Sequence, residues 1–163
     1  HLVRALIDGV YSGALRLTGS RADAEDVTQE AFLRAYRVLG AYPPDRIREL
    51  RPREWVWTIA ANLCRNRARA AARHPGAALD PAALPADPAP GPEQEALATA
   101  GGEALAAHLG RLPWAQRAAV VLRHVNGLPY AEVAAALGRP VGTVKADVHR
   151  GLRQLRALLE EEQ

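Results

Sequence analysis

This sequence predicts an all-α protein of two small helical domains, and three observations predict it. β-Branched residues are sparse and few runs alternate apolar with polar residues, so strands have little support. Apolar residues recur instead at three- and four-residue steps within two blocks, residues 1–74 and 104–163. Between them, over 75–103, Pro, Ala and Gly make up 19 of 29 residues. That composition buries too little apolar surface to offset its ordering entropy, so the stretch reads as a Pro/Ala-rich linker.

The spacing predicts helices over 2–18, 22–40 and 53–73 in the first block, and over 103–110, 114–126, 130–137 and 141–159 in the second. Gly19-Ser20 separates the first two, and Pro43-Pro44 and Pro52 bracket a loop. Pro113 suits a first helical turn, and Gly127 and Gly138 suit C-terminal caps. The end of the linker, 93–100, is a further candidate helix belonging with the second block.

A net charge of +3 conceals an uneven distribution. Residues 1–73 carry 13 basic against 8 acidic side chains, 74–103 none against 5, and 104–163 8 against 5. Two basic blocks around an acidic strip point toward nucleic acid. With Cys64 as the one cysteine, a disulfide framework and a Cys-rich zinc site are excluded. No apolar run approaches a membrane span and no secretory signal opens the chain, so a cytoplasmic location is expected. The chain starts at His1 and lacks Met, so an N-terminal piece is expected to be missing.

Within the second predicted helix, Ala24, Val27, Ala31, Ala35 and Val38 form a stripe for burial. Asp23, Asp26 and Glu30 recur on another face. They complement the helix dipole, and Glu30 can pair with Arg34. The same carboxylates with Gln29 also suit docking of a basic protein partner. A metal site would want inward carboxylates and a histidine, and no histidine lies nearby.

In the next long helix Trp55, Ile59 and Leu63 form an apolar edge, and Arg65, Arg69 and Arg73 a basic stripe. Cations beside aromatics suit single-stranded nucleic acid, phosphates on the one and unstacked bases on the other. Trp55 reads as core, while Trp57 falls off that edge and is a candidate for exposure. Cys64 reads as a small buried residue.

Residues 130–145 fit a helix, a glycine turn and a second helix. Val133 and Leu137 are placed to pack on Val144 and Val148, with Ala134 at the crossing and Gly138 in the turn. The second helix then carries Lys145, His149, Arg150, Arg153 and Arg156. A recognition helix puts its N-terminal side chains at base edges and its later cations on phosphates.

Together these segments resemble the bacterial RNA polymerase sigma factors of the extracytoplasmic-function group, which retain regions two and four. Asp23-Ala-Glu-Asp-Val-Thr-Gln-Glu-Ala-Phe-Leu-Arg-Ala-Tyr36 resembles the region-two helix that docks on the β′ clamp helices. Trp55-Val-Trp-Thr-Ile-Ala-Ala-Asn-Leu63 resembles the promoter-melting helix. Leu112-Pro-Trp-Ala-Gln-Arg117, Val121-Leu-Arg-His-Val-Asn-Gly-Leu-Pro-Tyr-Ala-Glu-Val133 and Pro140-Val-Gly-Thr-Val-Lys145 resemble region four. The resemblance implies a specificity subunit rather than an enzyme, with no cofactor and no metal. Its implied partners are core polymerase (β′ clamp helices and β flap), promoter DNA and a cognate anti-sigma factor. Asp26, Gln29 and Glu30 would bind polymerase. Trp57, Asn62, Arg65 and Arg69, with the loop 41–53, would bind the minus-ten element. Thr143, Lys145, His149, Arg150 and Arg153 would bind the minus-thirty-five element.

Family members commonly read Val-Lys-Ser-Arg where this chain reads Val144-Lys145-Ala146-Asp147. The acidic Asp147 at this position is expected to repel phosphate or accept from a cytosine amino group. Two promoter contacts about two helical turns apart lie roughly 70 Å from each other. A flexible 29-residue coil averages about 30 Å and a polyproline one reaches roughly 90 Å, so the linker is expected to be extended on DNA. Two other readings stay open: an activator of response-regulator type, which can share Thr143-Val144-Lys145, and an enzyme using the acidic helix with a histidine.

Overall fold

Eight α-helices and one π-helical turn make up the computed structural model, which describes residues 2–73 and 100–162. The first block holds α1 (Leu2–Thr18), α2 (Arg21–Ala41), α3 (Pro44–Glu49) and α4 (Pro52–Arg73). The second holds α5 (Ala100–Gly110), α6 (Trp114–Val120), the π turn (Val121–Val125), α7 (Tyr130–Leu137) and α8 (Val141–Glu161). No strand occurs among the described residues. α5 starts at Ala100, inside the stretch read as linker; 74–99, with most of the candidate helix 93–100, lies outside the described residues.

α2 begins at Ser20, whose hydroxyl accepts the Asp23 N–H at 3.2 Å. Its expected stripe is inside: Ala24, Val27, Ala31 and Ala35 are buried and Val38 is half-buried. Small residues at these steps let α2 lie close against α1 and α4. α3 was not anticipated. Pro44 opens it and Asp45 sits in its first turn, but it buries no residue, so it leaves no apolar period to read.

The two tryptophans of α4 exchange their expected places. Trp57 is 2% exposed, whereas Trp55 is half-buried against Tyr42, ring centroids 6.4 Å apart. The reason is that α4 is covered on two sides. Val56, Ala60, Leu63 and Cys64 form one buried stripe, and Trp57 and Ala61 continue it toward the second block, which packs on α4 through α7.

Residues 114–126, expected as one α-helix, change to a π turn at Val121. The Asn126 N–H reaches back five residues to the Val121 carbonyl at 3.0 Å. Asn126 then donates its side-chain amide to the Gly9 carbonyl of α1 at 2.8 Å. Gly138 caps α7 at φ 64°, a left-handed conformation that favours glycine. Val133, Val144 and Val148 share the buried core as expected, with Ala134 beside them.

The two blocks touch directly. α4 packs on α7, and α1 on α5 and the π turn. Arg117 of α6 donates to the Leu17 carbonyl of α1 at 3.1 Å, and also to the Gly110 and Leu112 carbonyls at 3.2 and 3.1 Å. Burial pulls the Arg117 guanidinium below its ordinary pKa.

Candidate functional site

The α2 acidic face forms a shallow concavity of about 420 Å³ lined by Asp26, Gln29, Glu30, Leu33, Arg34, Arg37 and Arg67. All three residues expected to meet polymerase are therefore together. Their charges are internally engaged: Glu30 accepts from Arg34 at 2.6 Å, and Arg67 of α4 bridges Asp23 at 2.7 Å and Asp26 at 3.5 Å. The Glu30–Arg34 pair is solvent-exposed and the Arg67 pairs are partly exposed, where each is worth roughly 0–1 kcal/mol, so a basic partner can replace the internal arginines at little cost. Leu33 and Tyr36 stand out from the same helix, 54% and 79% exposed, and supply apolar area beside the carboxylates.

The candidate minus-ten residues separate. Asn62, Arg65 and Arg69 line one cleft of about 210 Å³ on α4, whose far wall is Trp114, Leu137 and Arg139 of the second block. The Arg65 Nε is buried without a hydrogen-bond partner. Trp57 does not join them. Its indole is buried close to Gly13, 2% exposed, with no face for a base. Sequence reasoning passed over the aromatic group nearer the surface: Arg46 of α3 lies 4.5 Å over the Tyr42 ring, and Tyr42 meets Trp55 with the two rings tilted by 37°. The loop interval 41–53 was the available signal, but α3, which brings Arg46 over Tyr42, was not legible.

On α8, Lys145, His149, Arg150 and Arg153 are exposed and Thr143 is half-buried. Lys145 lies 5.5 Å from the Tyr130 ring, and Arg123 lies over the same ring at 4.7 Å. Arg153 donates to His149 Nε2 at 3.2 Å, which requires that nitrogen to be unprotonated.

Asp147 corrects the sequence reading. It is 4% exposed and accepts from Arg139 in the turn, with Arg150 3.9 Å away. It points into the helix-turn-helix, so it neither repels phosphate nor reads a base. Its helical position puts it on the Val144–Val148 side, and the partner that makes burial tolerable is the residue after Gly138.

Among the described residues no group of three His, Cys, Asp or Glu side chains is placed to hold a metal ion. No helix there is long and apolar enough to cross a membrane. Between the blocks, Arg53 meets Glu132 of α7 with both nitrogens of its fork, at 2.6 and 2.7 Å. That hydrogen bond holds the Arg53 pKa above its ordinary value.

Residues 2–74 match the family described as Sigma-70 region 2, and 102–155 match Sigma-70, region 4. The chain is 41% identical over 160 residues to the ECF RNA polymerase sigma factor SigE of Mycolicibacterium smegmatis, covering 97% of this chain and 60% of that protein. It is 35% identical over 167 residues to the ECF RNA polymerase sigma factor SigL of Mycobacterium tuberculosis, covering 98% and 90%. Among solved structures, CnrH in complex with the cytosolic domain of CnrY aligns with a TM-score of 0.72 at 25% identity, covering 99% of this chain and 87% of that one. Both regions, in order and on a matching fold, place the chain in the extracytoplasmic-function group of RNA polymerase sigma factors.

Proposed function

We propose that this chain binds core RNA polymerase and directs promoter recognition and transcription initiation without catalysing a reaction itself. The observation that carries the reading is the convergence of Asp26, Gln29 and Glu30 on one open face of α2, within a region-two match. Region two, 1–74, docks on the β′ clamp helices through that face. Asn62, Arg65 and Arg69 hold the minus-ten strand by its phosphates, with the Tyr42–Trp55 pair offering a stacking surface for an unstacked base. Region four, 104–163, sits at the β flap. There Thr143, Lys145, His149, Arg150 and Arg153 of α8 enter the major groove of the minus-thirty-five element. The segment between the regions is the tether. The CnrH–CnrY pairing supports a cognate anti-sigma partner for this chain too.

Run-off transcription with core polymerase on a genomic library, with sequencing of start sites, tests the class and reads the promoter. Asp26→Arg with Glu30→Arg is expected to abolish capture by core, a loss of at least about a hundredfold, while circular dichroism stays unchanged. Undiminished co-purification of the double variant with polymerase refutes the docking face. The response-regulator reading is not favoured, since both blocks match sigma-70 regions; footprinting of duplex DNA by the chain without core would revive it.

A further inference from the structure

We propose that Tyr130 is a positioning residue for promoter recognition, whose ring holds the Lys145 ammonium in place for the major groove. The inference rests on the reading above that α8 meets DNA, and it adds a residue outside α8. Lys145 is the single lysine among the chain's 21 basic Lys and Arg side chains. It stands in the second turn of α8, on the part of a recognition helix that approaches base edges. Its Nζ lies 5.5 Å from the centroid of the Tyr130 ring, within the range of a cation–π contact. Among the described residues it has no ion pair, so the ring is what directs this exposed side chain.

The ring can direct a lysine because it is itself fixed. Tyr130 opens α7 directly after Pro129 and is half-buried. Leu128, two residues earlier, is buried and donates its N–H to the Leu122 carbonyl at 3.0 Å. Arg123, carried by the π turn, donates to the Leu128 carbonyl at 3.1 Å. Its guanidinium also lies 4.7 Å from the centroid of the Tyr130 ring. Support therefore runs in one direction, from the π turn through Arg123 to Tyr130, and from Tyr130 to Lys145. The unexpected π turn acquires a use, since such turns recur at functional sites and this one carries Arg123 to the ring.

The chemistry of lysine gives this contact its effect. Lysine is a strongly hydrated point charge on a flexible stem, and DNA must order it on binding. A cation already held over a ring has fewer rotamers left to lose when it meets a phosphate or a base edge. An exposed contact of this kind is modest, so it leaves the ammonium free to donate to DNA. Tyr130 thus tunes promoter affinity, and its effect passes through Lys145. A phenylalanine at this position keeps the aromatic face, whereas a leucine keeps apolar bulk and loses it.

The single lysine makes the test direct. In the full chain grown with isotope-labelled lysine, the ε-methylene resonance of Lys145 is expected to lie upfield, shifted by the ring current of Tyr130. Tyr130→Phe should leave it there, and Tyr130→Leu should return it to the position of free lysine. The chain assembled with core polymerase is then titrated onto the promoter duplex that run-off transcription identifies. Tyr130→Leu is expected to weaken binding about twofold to fivefold, and Tyr130→Phe to bind as wild type. In a Lys145→Ala background, Tyr130→Leu should cost nothing further. Tyr130→Met serves if Tyr130→Leu does not fold. An unshifted wild-type resonance overturns the contact. Equal losses from Tyr130→Leu with and without Lys145 make Tyr130 a DNA contact or a fold residue, and overturn the positioning role. Full affinity of Tyr130→Leu or of Lys145→Ala overturns it as well. Failure of the wild-type chain in run-off transcription overturns the functional reading and leaves the measured contact standing.

Discussion

α2 and α4 are neighbours in region two, and each carries a charged face proposed to meet a macromolecule. The α2 face is open: Asp26 and Gln29 are exposed, and each ion pair on it is a surface pair that water already competes for. The α4 face is narrowed to a cleft by the second block, and its arginine Nε is stranded. The difference teaches that two charged faces of one helical block can differ in access through the packing of the second block alone. On the proposed reading, polymerase would meet the open α2 face, and the minus-ten strand would meet α4 beside its contact with α7.

The largest expected effect lies beneath the seam of these two helices. Cys64 is fully buried, and its thiol is pushed up to about 12 from 9.0 by burial, with Asp23 adding to the rise and Arg67 opposing it. The folded state therefore holds its proton where the unfolded chain has lost it. Stability from this group is complete below pH 9 and falls as pH rises toward 12. At ~1.4 kcal/mol per pH unit, that amounts to about 4 kcal/mol at the upper end. Cys64→Ala is expected to flatten the alkaline limb of urea midpoints measured from pH 8 to 11. An unaltered limb would show that water reaches this seam and that the two helices are not tightly joined.

Next comes Arg139→Ala in region four. It leaves the Asp147 carboxylate buried with only a distant Arg150, and is expected to cost about 3 kcal/mol in urea unfolding. Adding Asp147→Asn should recover most of that loss. No recovery would mean Arg139 acts by packing, and would return Asp147 to consideration as a base contact. The contrast with Asp26 is instructive: two aspartates on helices, one exchangeable and one structural, with burial deciding between them.

What the sequence disclosed follows the same line. The α2 stripe, the capping glycines and the exposed basic row of α8 were legible because periodicity and backbone conformation are local. Trp57 was misplaced because α4 is covered on two sides, and a single apolar edge cannot show that. Arg53 and Glu132 stand 79 positions apart, so nothing local couples them. α3 buries nothing, and so left no period to find.

A middle-sized effect is expected at the junction where the blocks meet. A Cβ at Gly13 would lie 2.4 Å from the Trp57 ring and 2.6 Å from Asn126 Oδ1. Gly13→Ala should cost about 2 kcal/mol by overpacking. Asn126→Ala should relieve part of this if the second block seats on α1 in solution. Additive losses would place the strain on Trp57 alone, inside region two.

Arg67→Ala gives the smallest effect and the finest reading of the open face. Its pairs with Asp23 and Asp26 are partly exposed, so stability should fall by less than about 1 kcal/mol. Core binding should move the other way. Asp26, 60% exposed, loses the one cation of α4 that competes with a basic partner, so affinity for core should rise about twofold to threefold, with a steeper dependence on salt. Titration of labelled variant and wild type with core polymerase at two ionic strengths separates the terms. Weaker binding at both salt concentrations would make Arg67 itself a polymerase contact, and α4 would then share the protein-facing side that the comparison gives to α2.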